Sequence, residues 1–202
     1  MPNDVKESVR QWAAALPAAI ASGALKPVGP RAMAALARSL WQFGPTPAML
    51  LAASAIRYPD RAALIDDSGQ LTYRQLQERA EAIAAAVYAL APSPPRSLGI
   101  VCRNHRGFTE AMLAGAQLGA ELVFINTELT PQQLRAILQR HQPDVLVFDD
   151  EYTQAVEDAQ YQGLRVVAWC ETADDGQTTL DSLADQQHPK PPPVRRPVKL
   201  TL

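Results

Sequence analysis

The pattern of apolar and polar positions changes character close to residue 60. Before that point, apolar side chains recur at helical spacing within residues 5–20, 31–43 and 49–56. After it, residues 62–65 and 70–72 predict two strands of a small hairpin around the turn Asp66-Asp67-Ser68-Gly69. A helix is predicted next, over residues 72–87, because Thr72 and Gln75 have the spacing of a capping box.

Four short apolar runs follow the hairpin and are separated by helical segments. Strands are predicted at residues 97–102, 121–125, 145–148 and 166–169, and helices at 105–118, 130–139 and 151–159. Thr130, Pro131 and Gln133 form a strong start signal for the middle helix. Fully apolar strands that alternate with helices are typical of a buried parallel sheet. The predicted fold class is therefore α/β: a mainly parallel sheet flanked by helices on both faces, with a small β-hairpin and a helical N-terminal extension.

Prolines mark the predicted domain boundaries. Gly44-Pro45-Thr46-Pro47 ends a helical N-terminal extension, assigned to residues 1–46. Residues 47–187 form the predicted α/β subdomain. Five prolines lie between residues 188 and 197, which predicts a semi-rigid linker. Residues 198–202 regain strand character, so 188–202 is interpreted as the linker and the first strand of a further part.

Composition limits the kinds of partner. With 202 residues, 47% of them apolar, the chain can bury one sizeable core. The formal net charge of -2 disfavours nucleic acid as a partner. Two cysteines, far apart in apolar runs, favour a reduced cytoplasmic protein. Trp12 and Trp41 in the basic first region leave peripheral membrane contact open, although helix packing explains them more simply.

The turn after the first parallel strand carries the candidate chemistry, because α/β sheets place ligands at the carboxyl ends of their strands. It contains one glycine, so it matches neither the dinucleotide-binding nor the P-loop fingerprint. Asn104 is the predicted N-cap of the following helix. Asn104, His105 and Arg106 are the candidate cleft-lining residues, where His105 and Arg106 could meet an anionic group; a solvated first helical turn is the alternative. The residues alone assign no catalytic, cofactor-binding or metal-ligating position.

Three stretches, taken in order, resemble the N-terminal part of AMP-forming acyl-CoA synthetases, the superfamily that includes luciferase and the adenylation domains of peptide synthetases. They cover about residues 47–170, and the central one is closest to the fatty-acyl-CoA branch. The stretches are Tyr58-Pro-Asp-Arg-Ala-Ala-Leu with Leu71-Thr-Tyr-Arg-Gln-Leu; Gly99-Ile-Val-Cys-Arg-Asn-His-Arg-Gly-Phe-Thr-Glu110; and Gly119-Ala-Glu-Leu-Val-Phe-Ile-Asn126 with Leu129-Thr-Pro-Gln-Gln-Leu134.

The resemblance implies a fatty acid substrate with ATP, Mg²⁺ and coenzyme A for the intact enzyme. A fatty carboxylate would attack ATP to give an acyl-adenylate and pyrophosphate, and coenzyme A would then displace AMP. The family's phosphate loop and catalytic lysine have no counterpart in these 202 residues. The chain is therefore expected to be an inactive fragment that binds none of these molecules tightly and that could form a homo-oligomer through the face left by its missing partner. Two alternatives stay open: a stand-alone α/β binding or interaction module that lost catalysis, and a nucleotide-binding domain of another lineage.

Overall fold

The computed structural model describes residues 29–44, 46–170, 176–192 and 200–201. The helix predicted at residues 5–20 lies outside these ranges. Residues 193–197 of the predicted linker also lie outside them. All tertiary contacts given below lie within the compact unit formed by residues 35–202.

A five-stranded, fully parallel sheet forms the centre of the fold. Its strands are β3 (Ser97–Val101), β4 (Glu121–Phe124), β5 (Val145–Asp149), β6 (Leu164–Trp169) and β7 (Leu200–Thr201), and they lie side by side in the order β6-β5-β3-β4-β7. Of the strand predicted at residues 198–202, the described residues 200–201 form β7, which pairs with Leu122 and Val123 of β4. It therefore extends this same sheet.

Helices cover both faces of the sheet, which confirms the predicted fold class. The described residues contain the helices α1 (Pro30–Phe43), α2 (Pro47–Arg57), α3 (Tyr73–Leu90), α4 (Arg106–Gln117), α5 (Pro131–His141), α6 (Thr153–Asp158) and α7 (Leu180–Ala184), of which α3 to α7 pack on the sheet. On one face Leu98 and Ile100 pack in a buried cluster with residues of α3, α4 and α7. On the other face Val101 and Leu146 pack with residues of α5 and α6. Adjacent residues of a strand point to opposite faces, so an apolar strand supplies both cores.

The hairpin consists of β1 (Ala62–Asp66) and β2 (Gly69–Thr72), which are antiparallel as predicted. Gly69 has a φ of +108°, a conformation that a side chain would strain. Leu71 of the hairpin packs with Leu76 of α3, Leu51 of α2 and Leu113 of α4. This third cluster holds the hairpin against α2, α3 and α4.

The predicted helix starts at Thr72 and Thr130 are confirmed with their hydrogen bonds. The Thr72 hydroxyl accepts from the Gln75 backbone N–H, and the Gln75 side chain accepts from the Thr72 N–H. Thr130 and Gln133 make the same reciprocal pair. Each pair satisfies two backbone donors that a helix end otherwise leaves unpaired.

Two predictions need correction, and one helix was not predicted. Asn104 is not the N-cap of α4; that position belongs to His105, and Asn104 is exposed. The helix predicted at residues 151–159 is divided into a 3₁₀ turn, Asp150–Tyr152, and α6. Helix α7 was not predicted, although Thr179 and Ser182 form a capping box at its start.

Candidate functional site

A cleft of about 690 Å³ opens between the carboxyl ends of β3, β5 and β6 and the tip of the hairpin. One wall is formed by residues at the ends of these three strands, and the other by hairpin residues 65–68. The lining residues are Ile65, Asp66, Asp67, Ser68, Arg103, Asn104, His105, Asp149, Asp150, Glu151 and Trp169. The cleft thus lies where parallel α/β sheets generally place their ligands.

His105 is held by hydrogen bonds on both of its ring nitrogens. Its Nδ1 accepts from the Gly107 backbone N–H at 3.0 Å, which caps α4. Its Nε2 lies 2.9 Å from Oδ1 of Asp149, a side chain that is only 4% exposed. An accepting Nδ1 carries no proton, so Nε2 must carry one and donate it to Asp149. The geometry therefore requires the neutral imidazole with its proton on Nε2.

Asp149 ends β5 and organises the turn that follows β3. Its Oδ2 accepts from the Arg103 backbone N–H at 2.8 Å, while Oδ1 faces His105. Burial, and then the nearby carboxylate of Asp149, raise the pKa of the Cys102 thiol. Cys102 therefore stays a buried neutral thiol, and Asp149 acts as a structural acceptor for the turn.

Arg106 binds Asp66 rather than facing the cleft. Its Nη2 lies 2.6 Å from Asp66 Oδ1, its Nε lies 3.0 Å from Oδ2, and its backbone N–H donates to Oδ2 at 3.0 Å. The two side chains are 17% and 12% exposed. The Arg106 hydrogen bonds lower the pKa of Asp66 from 3.8 to about 2. An anion supplied by the chain itself thus occupies the positive end of helix α4.

Four backbone donors of this turn are satisfied by the chain's own groups. The N–H groups of Arg103, Arg106 and Gly107 donate to Asp149, Asp66 and the His105 ring, respectively, and the His105 N–H donates to the Arg103 carbonyl. Backbone N–H groups can bind a phosphate only when they do not already donate to another group. These four N–H groups are therefore not available to the phosphates of ATP.

The charge of the cleft also disfavours a polyphosphate ligand. Its described lining residues include five carboxylates and a single cation, Arg103, whose Nη2 lies 2.6 Å from Glu151. Arg106 neutralises one further carboxylate. Excess negative charge repels a polyphosphate.

The structure places the three candidate residues next to one another with different surroundings. Asn104 and His105 line the cleft, and Arg106 turns to the hairpin. Sequence reasoning missed Asp66 and Asp149. Asp149 follows an apolar run and so ends a strand at the same edge as His105, which was a usable signal; nothing in the sequence paired Asp66 with Arg106.

A second group of charges joins three helices behind the cleft. The fully buried Glu110 accepts from Nε of Arg79 at 2.5 Å, and Nη2 of Arg79 lies 2.5 Å from Asp181. The hydrogen bond to Glu110 raises the pKa of Arg79. This group connects α3, α4 and α7, and its position within the helical layer indicates a structural role.

Two further observations describe the part of the chain that the structure covers. No three side chains of His, Cys, Asp or Glu in it are placed to hold a metal ion together. None of its helices is long and apolar enough to cross a membrane.

Comparison with known proteins defines the class. Residues 51–200 match the family described as AMP-binding enzyme, and the chain belongs to this family. A medium/long-chain-fatty-acid–CoA/3-oxocholest-4-en-26-oate–CoA ligase of Mycolicibacterium smegmatis is 33% identical over 98 residues. That match covers 48% of this chain and 18% of the relative, so the chain spans less than a fifth of the relative's length.

Solved structures of CoA ligases share the fold. A benzoate CoA ligase from Burkholderia xenovorans LB400 superimposes with a TM-score of 0.62 at 24% identity, over 72% of this chain and 29% of that one. The anthranilate CoA ligase AuaEII, in complex with anthranoyl-AMP, gives a TM-score of 0.64 at 21% identity, over 71% of this chain and 28% of that one. At these identities the likeness concerns the fold alone.

Proposed function

We propose that this chain is the N-terminal part of a longer AMP-forming ligase that activates medium- or long-chain fatty acids with ATP and joins them to coenzyme A. Membership of the AMP-binding enzyme family supports the reaction class. The name of the M. smegmatis relative supports the fatty acid substrate. Mg²⁺ would accompany ATP in such an enzyme, and the cytoplasm is the proposed location.

Within that ligase the chain serves as a structural scaffold and forms one wall of a cleft. The observation that carries this role is the turn after β3, where the backbone N–H groups of Arg103, Arg106 and Gly107 donate to Asp149, Asp66 and His105. Phosphate recognition is then assigned to other residues of the ligase. On this proposal the 202-residue chain alone does not form an acyl-adenylate.

Fatty-acid-dependent exchange of pyrophosphate into ATP tests the proposal. The assay compares the 202-residue chain with the product of the whole reading frame to which it belongs, each with medium- and long-chain fatty acids. We expect exchange by the whole product and none by the chain alone. Exchange by the chain alone would overturn its proposed role as a structural scaffold. Exchange by the whole product only with aryl or amino acids would overturn the proposed substrate class.

The native mass of the cellular product separates the proposal from the stand-alone module. A product much longer than this chain agrees with a ligase. A native product of 202 residues would favour a binding or interaction module instead.

A further inference from the structure

Helix α1 directs its largest apolar side chains toward solvent. Met33 is 57% exposed, Leu40 51% and Trp41 63%. The buried residue of this helix is instead Ser39, whose hydroxyl donates to the Ala35 carbonyl. A surface helix of a globular protein normally has the opposite arrangement, with its apolar side chains toward the core. The packing of the described residues therefore does not explain the apolar side chains of α1.

These side chains form one continuous face. Met33, Ala37 and Leu40 follow one another at intervals of four and three residues, so they line up along one side of the helix. Trp41 lies four residues after Ala37 on the same side, and Ala37 is exposed as well. The face extends from Met33 to Trp41, over about 12 Å of the helix axis.

Positive charge borders this apolar face. Arg31 and Arg38 are exposed and lie seven residues apart, so they share one edge of the helix, and Arg38 neighbours Trp41. Residues 29–59 contain one further cation, Arg57, and no aspartate or glutamate. The cleft at the carboxyl ends of the strands has the opposite character, since its lining residues include five carboxylates. An apolar face with a basic edge is complementary to a surface that is apolar inside and negatively charged outside.

We propose that α1 binds in the plane of a bilayer that contains anionic phospholipids. Met33, Leu40 and Trp41 insert among the acyl chains, and Arg31 and Arg38 bind the headgroup phosphates. Amphipathic helices with basic residues beside an apolar face bind membranes in this way, and tryptophan favours the membrane–water interface. With 14 residues α1 is about 21 Å long. The hydrocarbon core of a bilayer is about 30 Å thick, so α1 lies along the surface.

A second copy of the chain is a poorer occupant of this face. A symmetric dimer places the same patch on both partners, so the Arg31 and Arg38 side chains of both copies would lie at one contact. Residues 29–59 supply no carboxylate to pair with them. Unpaired charges are costly to bury, whereas each arginine near an anionic lipid surface is stabilised by its negative potential. The charge of the patch therefore favours lipid over a second copy.

Co-sedimentation with vesicles tests the proposal on the 202-residue chain and on the product of the whole reading frame. One set of vesicles contains phosphatidylcholine alone, and the other contains about 30% phosphatidylglycerol in addition. We expect saturable binding of both proteins to the anionic vesicles, which weakens as the salt concentration rises. Binding to phosphatidylcholine alone should be at least about tenfold weaker. No fatty acid, ATP or coenzyme A is present, so the result does not depend on the reaction proposed above.

Matched variants locate the binding on α1. Leu40→Gln should weaken it about tenfold, while Leu90→Gln, at a leucine that is 45% exposed at the end of α3, should leave it unchanged. Arg38→Gln should weaken it about fivefold, while Arg140→Gln, at an exposed arginine of α5, should have no effect. All four positions are exposed, so circular dichroism of each variant should match the wild type.

Several results would overturn the proposal. They include no saturable binding, equal binding to the two kinds of vesicle, and equal losses in Leu40→Gln and Leu90→Gln. Binding by the chain but not by the whole product would show that the rest of the ligase covers α1. A dimer that forms without vesicles and dissociates in Leu40→Gln, measured by sedimentation equilibrium, would assign the face to a second copy instead.

Discussion

The guanidinium and backbone N–H of Arg106 together surround the carboxylate of Asp66, which lies 40 residues earlier in the chain. The pair joins the tip of the hairpin to the first turn of α4. It fixes one wall of the cleft, and it places the chain's own carboxylate where an anionic ligand would otherwise bind.

Asp66→Asn should destabilise the fold, because it leaves the largely buried Arg106 guanidinium without its counter-charge. We expect a loss of about 2 kcal/mol in the free energy of unfolding, measured by urea denaturation. Asp67→Asn, at the exposed neighbouring position, is the matched control and should change it by less than about 0.5 kcal/mol. Equal effects of the two substitutions would contradict the pairing.

The same pair predicts a pH dependence. The folded-state pKa of Asp66 is about 2, below its ordinary value of 3.8, so the unfolded chain takes up the proton first as pH falls. The stabilisation is therefore complete above the unfolded pKa and is lost as pH falls from about 4 toward 2. Unfolding of the wild type and of Asp66→Asn, compared across that window, should show their difference shrinking. A constant difference would be inconsistent with the lowered pKa.

His105 should be a neutral imidazole protonated on Nε2 in the folded protein. Nitrogen chemical shifts of its ring measure this directly, and the expected pattern is an unprotonated Nδ1. His105→Ala should cost about 1 kcal/mol for the lost helix cap, whereas His105→Asn should retain most of that stability. A protonated Nδ1 would show that the ring does not cap α4.

Gly163 has no room for a side chain. A Cβ at this position would lie 2.1 Å from the Tyr161 hydroxyl and 2.7 Å from the Asp144 carbonyl oxygen. The Tyr161 hydroxyl cannot move freely, because it donates to the Pro143 carbonyl at 2.6 Å in a buried position. Gly163→Ala should therefore destabilise the fold by about 1–3 kcal/mol.

Gly176→Ala is the matched control for that substitution, since its Cβ position has no atom within 4 Å among the described residues other than its chain neighbours. Its thermal midpoint should remain close to that of the wild type. Similar losses from both alanine variants would indicate a general intolerance to alanine and would remove the packing explanation.

The alternation of apolar runs and helix caps was sufficient to predict the α/β class and most elements of the fold. Those signals are local: Thr72 with Gln75 and Thr130 with Gln133 each act over three residues. Helix α7 was missed because it has only five residues and follows a polar, glycine-containing stretch. Short helices depend on tertiary packing, here the burial of Leu180 and Leu183 against the sheet.

The candidate site was predictable only in part. Strand ends indicated the edge where His105 would lie, but a capping preference pointed to Asn104 instead. Histidine took the cap because Asp149, 44 residues later, holds its other nitrogen. Partners so distant in sequence, including Asp66 for Arg106, become neighbours only when the sheet and hairpin are assembled.

Calorimetric titration of the 202-residue chain with ATP and Mg²⁺ most directly tests the central claim. The claim is that this part of the ligase is a structural scaffold without a phosphate-binding site of its own. We predict no saturable heat of binding. Saturable binding of ATP to the wild-type chain would contradict the account, in which four backbone donors of the turn after β3 already donate to groups of the chain itself.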